Sequence, residues 1–168
     1  MFKMSDSDSD VEDLMYLLDE IDSGLEIQGN TLVKGVDEPH VVIPEGVEII
    51  GRNAFSYCRK LTSVTFPSTL ITIGESAFSN CIGLTNVVFP HNLYSIGMSA
   101  FSYCIGLTNV VFPHGLYSIE DEAFSLCTGL TSLSLPEGLS SIGNVAFFYC
   151  TGLTSVELPN SLHDIGES

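Results

Sequence analysis

The cysteines of this chain constrain its fold more than any other feature. Cys58, Cys81, Cys104, Cys127 and Cys150 recur at a constant spacing of 23 residues. Ala-Phe precedes each cysteine and a leucine follows it, so the surrounding sequence repeats in step. A fixed period between about 20 and 50 residues is the signature of stacked structural repeats. The sequence therefore predicts a solenoid whose equivalent coils bury one continuous core together.

One repeat shows how each coil is built. It begins Leu61-Thr62-Ser63-Val64-Thr65-Phe66-Pro67, where alternate apolar residues predict a short strand facing the core and Pro67 ends its pairing. Ala77-Phe78-x-x-Cys81 predicts a helical turn with the ring and the thiol on one side. We expect the preceding glycine to allow a turn with unusual φ. It occupies positions 74, 97, 143 and 166, and Glu120 replaces it in one repeat.

Three segments follow from these patterns. Residues 1–10, in which serine and aspartate alternate from Ser5 to Asp10, predict a disordered acidic tail. Residues 11–35 predict an N-terminal cap, because Val11, Leu14, Leu18 and Ile21 have helical spacing and Gly29-Asn30 indicates a hairpin. Residues 36–168 are predicted to be 23-residue repeats, of which the last is incomplete.

Charge excludes one class of partner. The formal net charge is −16, and no Lys or Arg follows Lys60. Nucleic-acid binding needs cations that neutralise phosphates, so it is excluded. Anionic membrane surfaces are disfavoured for the same reason. The chain has no apolar stretch of transmembrane length and its first residues do not resemble an export signal. These features favour the cytoplasm for the chain as given, whereas a longer exported parent would place it at the cell surface.

The cysteines themselves are predicted to be structural. Equivalent residues on neighbouring coils lie ~4.8 Å apart with parallel Cα–Cβ vectors, whereas a disulfide requires vectors that converge. We therefore expect a ladder of buried free thiols. No C-x-x-C pair is present, so no thiolate metal site is predicted. We predict no cofactor.

The pattern Leu-x-x-Val-x-Leu/Phe-Pro-x-x-Leu-x-x-Ile-Gly-x-x-Ala-Phe-x-x-Cys resembles the BspA-like leucine-rich repeat. The resemblance covers roughly residues 40–168. It implies an α/β repeat solenoid, a short right-handed stack with parallel concave strands and a convex side of turns or short helices. It also implies protein binding, adhesion or surface attachment, and it brings no catalytic residues.

Function is expected at positions that the repeat code leaves variable. The concave strands predict a field of hydroxyls, amides and valines, which is either a solvated surface typical of strands or a protein-binding face. Tyr94 and Tyr117 fall on adjacent coils and are expected to stack in an interface. The candidate protein-binding residues are Thr62, Thr65, Thr85, Asn86, Val88, Thr108, Asn109, Val111, Thr131, Ser134, Tyr94 and Tyr117.

Enzymatic chemistry is not indicated. Glu120-Asp121-Glu122 is an acidic cluster, but a solvated loop accounts for it better than acid–base catalysis. The two histidines His91 and His114 stand in duplicated sequence, which explains their spacing without a metal. We therefore predict a non-enzymatic protein-binding module. The alternatives are a surface adhesin fragment that binds host or matrix protein, or a self-associating scaffold that dimerises through an uncapped C-terminal end.

Overall fold

The computed structural model describes residues 24–167. Within this range each repeat contributes a three-residue strand, a two-residue strand and a turn segment, and the next repeat follows directly. The repeats stack through backbone hydrogen bonds on all three sides. The stacked coil confirms the predicted solenoid, because residues 23 apart are partners in the sheets, as Val87 and Val110 are.

The strands fall into three groups. The antiparallel hairpin consists of β1 (Glu26–Gln28) and β2 (Thr31–Lys34). The first strands of the coils are β3 (His40–Val42), β5 (Ser63–Thr65), β7 (Asn86–Val88), β9 (Asn109–Val111), β11 (Ser132–Ser134) and β13 (Ser155–Glu157). The second strands are β4 (Ile49–Ile50), β6 (Thr72–Ile73), β8 (Ser95–Ile96), β10 (Ser118–Ile119), β12 (Ser141–Ile142) and β14 (Asp164–Ile165).

The two sets of strands differ in continuity. The second strands join the hairpin in one eight-stranded sheet of order β1-β2-β4-β6-β8-β10-β12-β14. The first strands form a four-stranded sheet, β3-β5-β7-β9, and a separate pair, β11-β13. Strands β5 and β7 pair only at Ser63 and Asn86. All pairings between coils are parallel, as the stacking of equivalent strands requires.

The predicted hairpin at Gly29-Asn30 is confirmed, and it pairs with the first coil through β2 and β4. The predicted helix around Val11–Ile21 and the predicted acidic tail lie outside the described residues. In residues 24–167 no helix is long and apolar enough to cross a bilayer.

The expected helical turn on the convex side is wrong. Residues 24–167 contain no helix. Each turn segment holds two residues at positive φ, for example Ser99 at 53° and Tyr103 at 62°, whereas a helix needs negative φ throughout. The Phe101 N–H donates to Ala123 O at 2.7 Å instead of to its own coil. This side, which we call the turn face, is therefore a third hydrogen-bonded side of the coil.

The expected role of the repeat glycine is also wrong. Positive φ falls on other residues, and Gly97 does not adopt it. A Cβ at Gly97 would instead lie 2.9 Å from the Ile73 carbonyl oxygen of the preceding coil. Glycine is therefore required here for close approach between coils rather than for backbone freedom.

A column of phenylalanines forms the centre of the core. Phe55, Phe78, Phe101 and Phe124 are fully buried. Successive rings, including Phe147, stack with centroids 4.9 to 5.4 Å apart and planes within 6° of parallel. Phe78, Phe101 and Phe124 each pack between two other rings of the column, so one coil alone would expose its ring. A buried Phe side chain contributes about 1.5–3 kcal/mol, and this column therefore makes the stability cooperative between coils.

Candidate protein-binding surface

The outward side of the first strands, which we call the strand face, carries most of the predicted binding residues. Val87 and Val110 point into the core, whereas their neighbours point outward. Val42, Val88 and Val111 are 69%, 54% and 46% exposed. The exposed residues on the face are Ser63, Thr65, Thr85, Asn86, Val88, Thr108, Asn109, Val111, Thr131, Ser132, Ser134, Ser155 and Glu157.

The threonine at the start of each strand joins the coils together. The Thr108 hydroxyl donates to Thr85 O at 3.0 Å, and the Thr62 hydroxyl donates to Pro39 O at 2.7 Å. Thr85 and Thr154 make the same bond to the preceding coil. Four of the predicted binding residues, Thr62, Thr85, Thr108 and Thr131, belong to this column. The hydroxyl groups of the first three donate their hydrogens to carbonyl oxygens of the preceding coil.

Polar side chains further along the face pair across neighbouring coils. Asn109 Nδ2 donates to Asn86 Oδ1 at 2.6 Å, and the Ser134 hydroxyl donates to Glu157 at 2.9 Å. These contacts occur within the strand pairs β7-β9 and β11-β13, where the ladder is intact. The asparagine pair lies between coils that also present exposed valines, so the centre of the face combines amide groups with apolar surface.

The incomplete pairing of β5 and β7 opens a cleft in the strand face. The cleft has a volume of about 470 Å³. Thr65 and Phe66 line one side, and Val88, Phe89 and Pro90 line the other. Phe66 is half-buried, whereas Phe89 is 5% exposed. The cleft therefore gives access to the partly exposed ring of Phe66.

Tyr94 and Tyr117 are neighbours, as the repeat spacing predicts. Their ring centroids lie 5.1 Å apart with planes 2° from parallel. The rings are 50% and 46% exposed. They precede β8 and β10, on the side of the coil next to the strand face. Their role in an interface stays a prediction.

Sequence reasoning missed a second set of tyrosines. Tyr57, Tyr103 and Tyr149 occupy the last variable position of Ala-Phe-x-x-Cys, are 61%, 48% and 60% exposed, and have φ of 63°, 62° and 56°. Asn80 and Leu126 fill the same position in the intervening coils. Positive φ favours Gly and Asn and is rare for bulky residues. The signal available in the sequence was the aromatic residue at that position in three of five repeats.

The thiols are buried and free, as predicted. Four of them, in Cys81, Cys104, Cys127 and Cys150, donate to the phenylalanine carbonyl of the preceding coil, as Cys81 Sγ does to Phe55 O at 3.1 Å and Cys104 Sγ does to Phe78 O at 3.2 Å. Burial raises the pKa of Cys81 to about 12 and that of Cys58 to about 11. A thiol with so high a pKa is a weak nucleophile at neutral pH. The cysteine ladder therefore serves packing and hydrogen bonding.

The carboxylates bind backbone amides of adjacent coils. Asp121 accepts the Asn144 N–H at 2.6 Å, and Glu120 accepts the Met98 N–H at 3.1 Å. Glu45 accepts both the N–H and the hydroxyl of Ser68, and these bonds lower its pKa. Among residues 24–167, no three His, Cys, Asp or Glu side chains are grouped to hold a metal ion. The acidic cluster at 120–122 thus connects coils.

These features define a protein of stacked repeats with a polar and apolar strand face. The sequence matches the BspA type leucine-rich repeat region in six copies, over residues 29–127 and 72–168. The chain therefore belongs to the BspA-type leucine-rich repeat family. No curated protein sequence matches it.

Three solved structures show the same architecture. A leucine-rich cell surface protein from Faecalibacterium prausnitzii is 32% identical, with a TM-score of 0.76 over 85% of this chain and 42% of that one. The leucine-rich repeat protein of T. pallidum is 26% identical, with a TM-score of 0.73 over 81% of this chain and 77% of that one. The pneumococcal vaccine antigen PcpA is 27% identical, with a TM-score of 0.63 over 73% and 30%. The chain thus spans less than half the length of the first of these proteins.

Proposed function

We propose that this chain is a non-enzymatic module that binds a partner protein through its strand face. The observation that carries the proposal is the exposure of Val42, Val88 and Val111. Stacking does not require valine at these positions, because Thr65, Ser134 and Glu157 replace it in other coils with the same strand. Exposed apolar side chains grouped on one face are typical of interaction sites.

The cleft between β5 and β7 supports the same proposal. A protein interface depends on a few side chains that fill pockets at its centre. The cleft offers such a pocket beside Val88, with Phe66 and Phe89 as apolar walls. Asn86 on its rim supplies an amide that fixes the orientation of a partner backbone. We propose that one apolar partner side chain occupies this cleft.

A location at the cell surface is the second part of the proposal. The F. prausnitzii relative is described as a cell surface protein and PcpA as a vaccine antigen. Exposure on a bacterial surface is compatible with a chain whose five described thiols are buried, since burial protects them from oxidation. In this setting the strand face acts as an adhesin surface toward host or matrix protein.

The test replaces two valines of the strand face. Val88→Glu places a charge in the wall of the cleft and Val111→Glu places one on the adjacent coil, and both leave the inward residues unchanged. Met98→Glu is the matched control, because Met98 is 44% exposed and belongs to the turn segment of its coil. Immobilised protein is exposed to lysate and to extracellular matrix extract, and captured proteins are identified by mass spectrometry.

We expect the wild type and Met98→Glu to capture the same proteins, and the double variant to lose them at least tenfold. A double variant that melts at the wild-type temperature and captures the same proteins would refute a role for the strand face. Capture from matrix extract but not from lysate supports the adhesin function. The reverse result favours an intracellular partner.

A further inference from the structure

The tyrosine column, which consists of Tyr57, Tyr103 and Tyr149, is not explained by the packing of the solenoid. About half of Tyr103 and more than half of Tyr57 and Tyr149 remain exposed. Their backbone has positive φ, which disfavours bulky side chains. Every coil has positive φ at this position, and Asn80 and Leu126 fill it in the intervening coils, so the backbone does not require tyrosine there. The chain itself shows that a smaller residue fits, because Asn80 has the same φ of 62° in the intervening coil.

The tyrosines occupy equivalent positions in alternate coils of the solenoid. The Tyr57 N–H donates to Ser79 O at 2.8 Å, and the Tyr103 N–H donates to Ser125 O at 2.9 Å, so this position stacks from coil to coil. The phenylalanine rings of the same turn segments rise 4.9 to 5.4 Å per coil. Since the tyrosines occur in every second coil, they repeat at roughly 10 Å, twice the inter-strand spacing.

This period matches one common peptide conformation. A polyproline II helix rises 3.1 Å per residue with three residues per turn, so it presents equivalent side chains every ~9.3 Å. A β-strand presents equivalent side chains every ~6.7 Å, which does not match the row. An α-helix offers equivalent residues at about 10.5 Å over seven residues. The spacing of the tyrosines alone is therefore compatible with a ligand in the polyproline II conformation or in an α-helix.

The chemistry of the row favours polyproline II. Its backbone has no internal hydrogen bonds, so its carbonyl groups need donors, and each tyrosine supplies a flat ring with a hydroxyl donor. An α-helix satisfies its own carbonyls and gains nothing from those hydroxyls. Exposed Ile82 and Ile105 border the row and provide apolar surface for proline rings.

Charge around the row points to the same ligand. The protein carries a net charge of −16, yet residues 79–83, 102–106, 125–129 and 148–152 contain no charged side chain. An uncharged proline-rich segment suits this stretch. Arg59 and Lys60 are exposed two and three residues after Tyr57, at one end of the row. An acidic residue at one end of the ligand would complement them.

We propose that the tyrosine column, with Ile82 and Ile105 beside it, binds a proline-rich protein segment in the polyproline II conformation. Prolines at every third position lie on Tyr57, Tyr103 and Tyr149, and the tyrosine hydroxyls donate to peptide carbonyls. This surface is separate from the strand face, and the proposal does not depend on the function proposed there.

The test measures fluorescence anisotropy with a labelled nonaproline peptide that carries one terminal aspartate. Tyr57, Tyr103 and Tyr149 are replaced together by Asn, the residue that the chain places at this position in Asn80. A second triple variant uses Leu, as in Leu126, and keeps apolar surface without the ring and hydroxyl. Tyr94→Asn with Tyr117→Asn is the control, because it removes two exposed tyrosines elsewhere.

We expect saturable binding that both triple variants weaken at least tenfold and the control leaves within twofold. Binding that all variants retain, or that the control loses equally, overturns the proposal. Cellohexaose and an alanine-rich helical peptide with leucine every seven residues are tested in parallel. Saturable binding of either one without binding of nonaproline also overturns it, and assigns the row to a glycan or to a helix.

Discussion

Replacement of Gly106 by alanine would test the close stacking of the coils most directly. Each coil after the first has a glycine two residues after its cysteine, at positions 83, 106, 129 and 152. A Cβ at Gly106 would lie 2.5 Å from Ile82 O and 3.3 Å from Leu84 O, both in the preceding backbone. Ordinary contact begins near 3.4 Å. The two coils would therefore have to separate locally by most of an ångström.

The expected cost follows from what that separation disrupts. The coils at this level are joined by bonds such as Thr108 N to Thr85 O at 2.9 Å, and overpacking of an interior costs about 1–3 kcal/mol. Alanine also reduces the entropy of the unfolded chain, which returns about 0.4–1 kcal/mol. We therefore expect Gly106→Ala to destabilise the protein by roughly 1–2 kcal/mol.

Urea denaturation followed by circular dichroism measures this difference, as a lower midpoint with an unchanged slope. Lys60→Ala is the control, because Lys60 holds the same repeat position in the first coil and already carries a Cβ. The hydrogen bond from the Lys60 backbone N–H to the Asp37 carboxylate does not involve the lysine side chain, so alanine keeps it. A Gly106→Ala midpoint equal to that of the wild type would refute the close approach of the coils.

Three further predictions concern bonds between coils. Cys104→Ala removes the Sγ bond to Phe78 O and leaves a small void, so it should lower the free energy of unfolding by about 1–2 kcal/mol. In the same urea assay, Cys104→Ser should lose less, because a hydroxyl can still donate to Phe78 O. Equal midpoints for the two variants would contradict a stabilising role for this bond. Thr108→Val should lower the free energy of unfolding by about 0.5–1.5 kcal/mol, because it removes the hydroxyl bond to Thr85 O. Thr131→Val should be neutral because, within residues 24–167, the Thr131 hydroxyl makes no such bond. Equal losses in the two variants would contradict a stabilising role for the Thr108 bond. Thiols in the unfolded chain ionise at about pH 8.5, whereas burial raises the pKa of Cys81 in the folded chain to about 12. The unfolded state therefore binds fewer protons than the folded state above about pH 8.5, so the free energy of unfolding should fall between pH 8 and 9.5, and it should fall less steeply in Cys81→Ser. A flat pH profile would count against burial of the thiols.

The repeat pattern was sufficient to predict the coil, the strands and the thiol ladder. Val64 and Phe66 alternate with polar residues as a strand does, and the constant spacing of the cysteines requires equivalent positions to stack. The Gly29-Asn30 hairpin was equally accessible, because local turn chemistry determines it. These features depend on residue spacing alone, and for that reason they could be predicted without coordinates.

The turn face could not be predicted in the same way. Ala-Phe-x-x-Cys has the spacing of a helical turn, but alternate backbone amides of the turn segment donate to carbonyl oxygens of the next coil at 2.7 to 3.0 Å. Once those bonds form, positive φ at Ser99 and Tyr103 is tolerated. Sequence reasoning compares local conformations, whereas here the stack supplies the hydrogen bonds that decide between them. The sequence-based choice of a short helix failed for that reason.

The candidate site shows a similar division. Val88, Asn86 and Val111 are exposed on the strand face as expected. The threonine hydroxyls were also expected there as binding groups, but the bond from Thr108 to the preceding coil is visible only in three dimensions. The cleft beside Phe66 lies where β5 and β7 pair at a single position, and the repeat pattern does not predict that interruption.

A comparison of the exposed columns indicates where function can reside in such a solenoid. The threonine column is exposed yet bonded to its neighbours, so variation there costs stability. The valines and the tyrosine column are exposed without such bonds among the described residues, and the tyrosines are also strained at positive φ. These side chains neither join the coils nor relax the backbone, and for that reason our proposals place binding at them. If the two surfaces act independently, substitutions on one should leave binding at the other unchanged, because neither set contributes to the shared core.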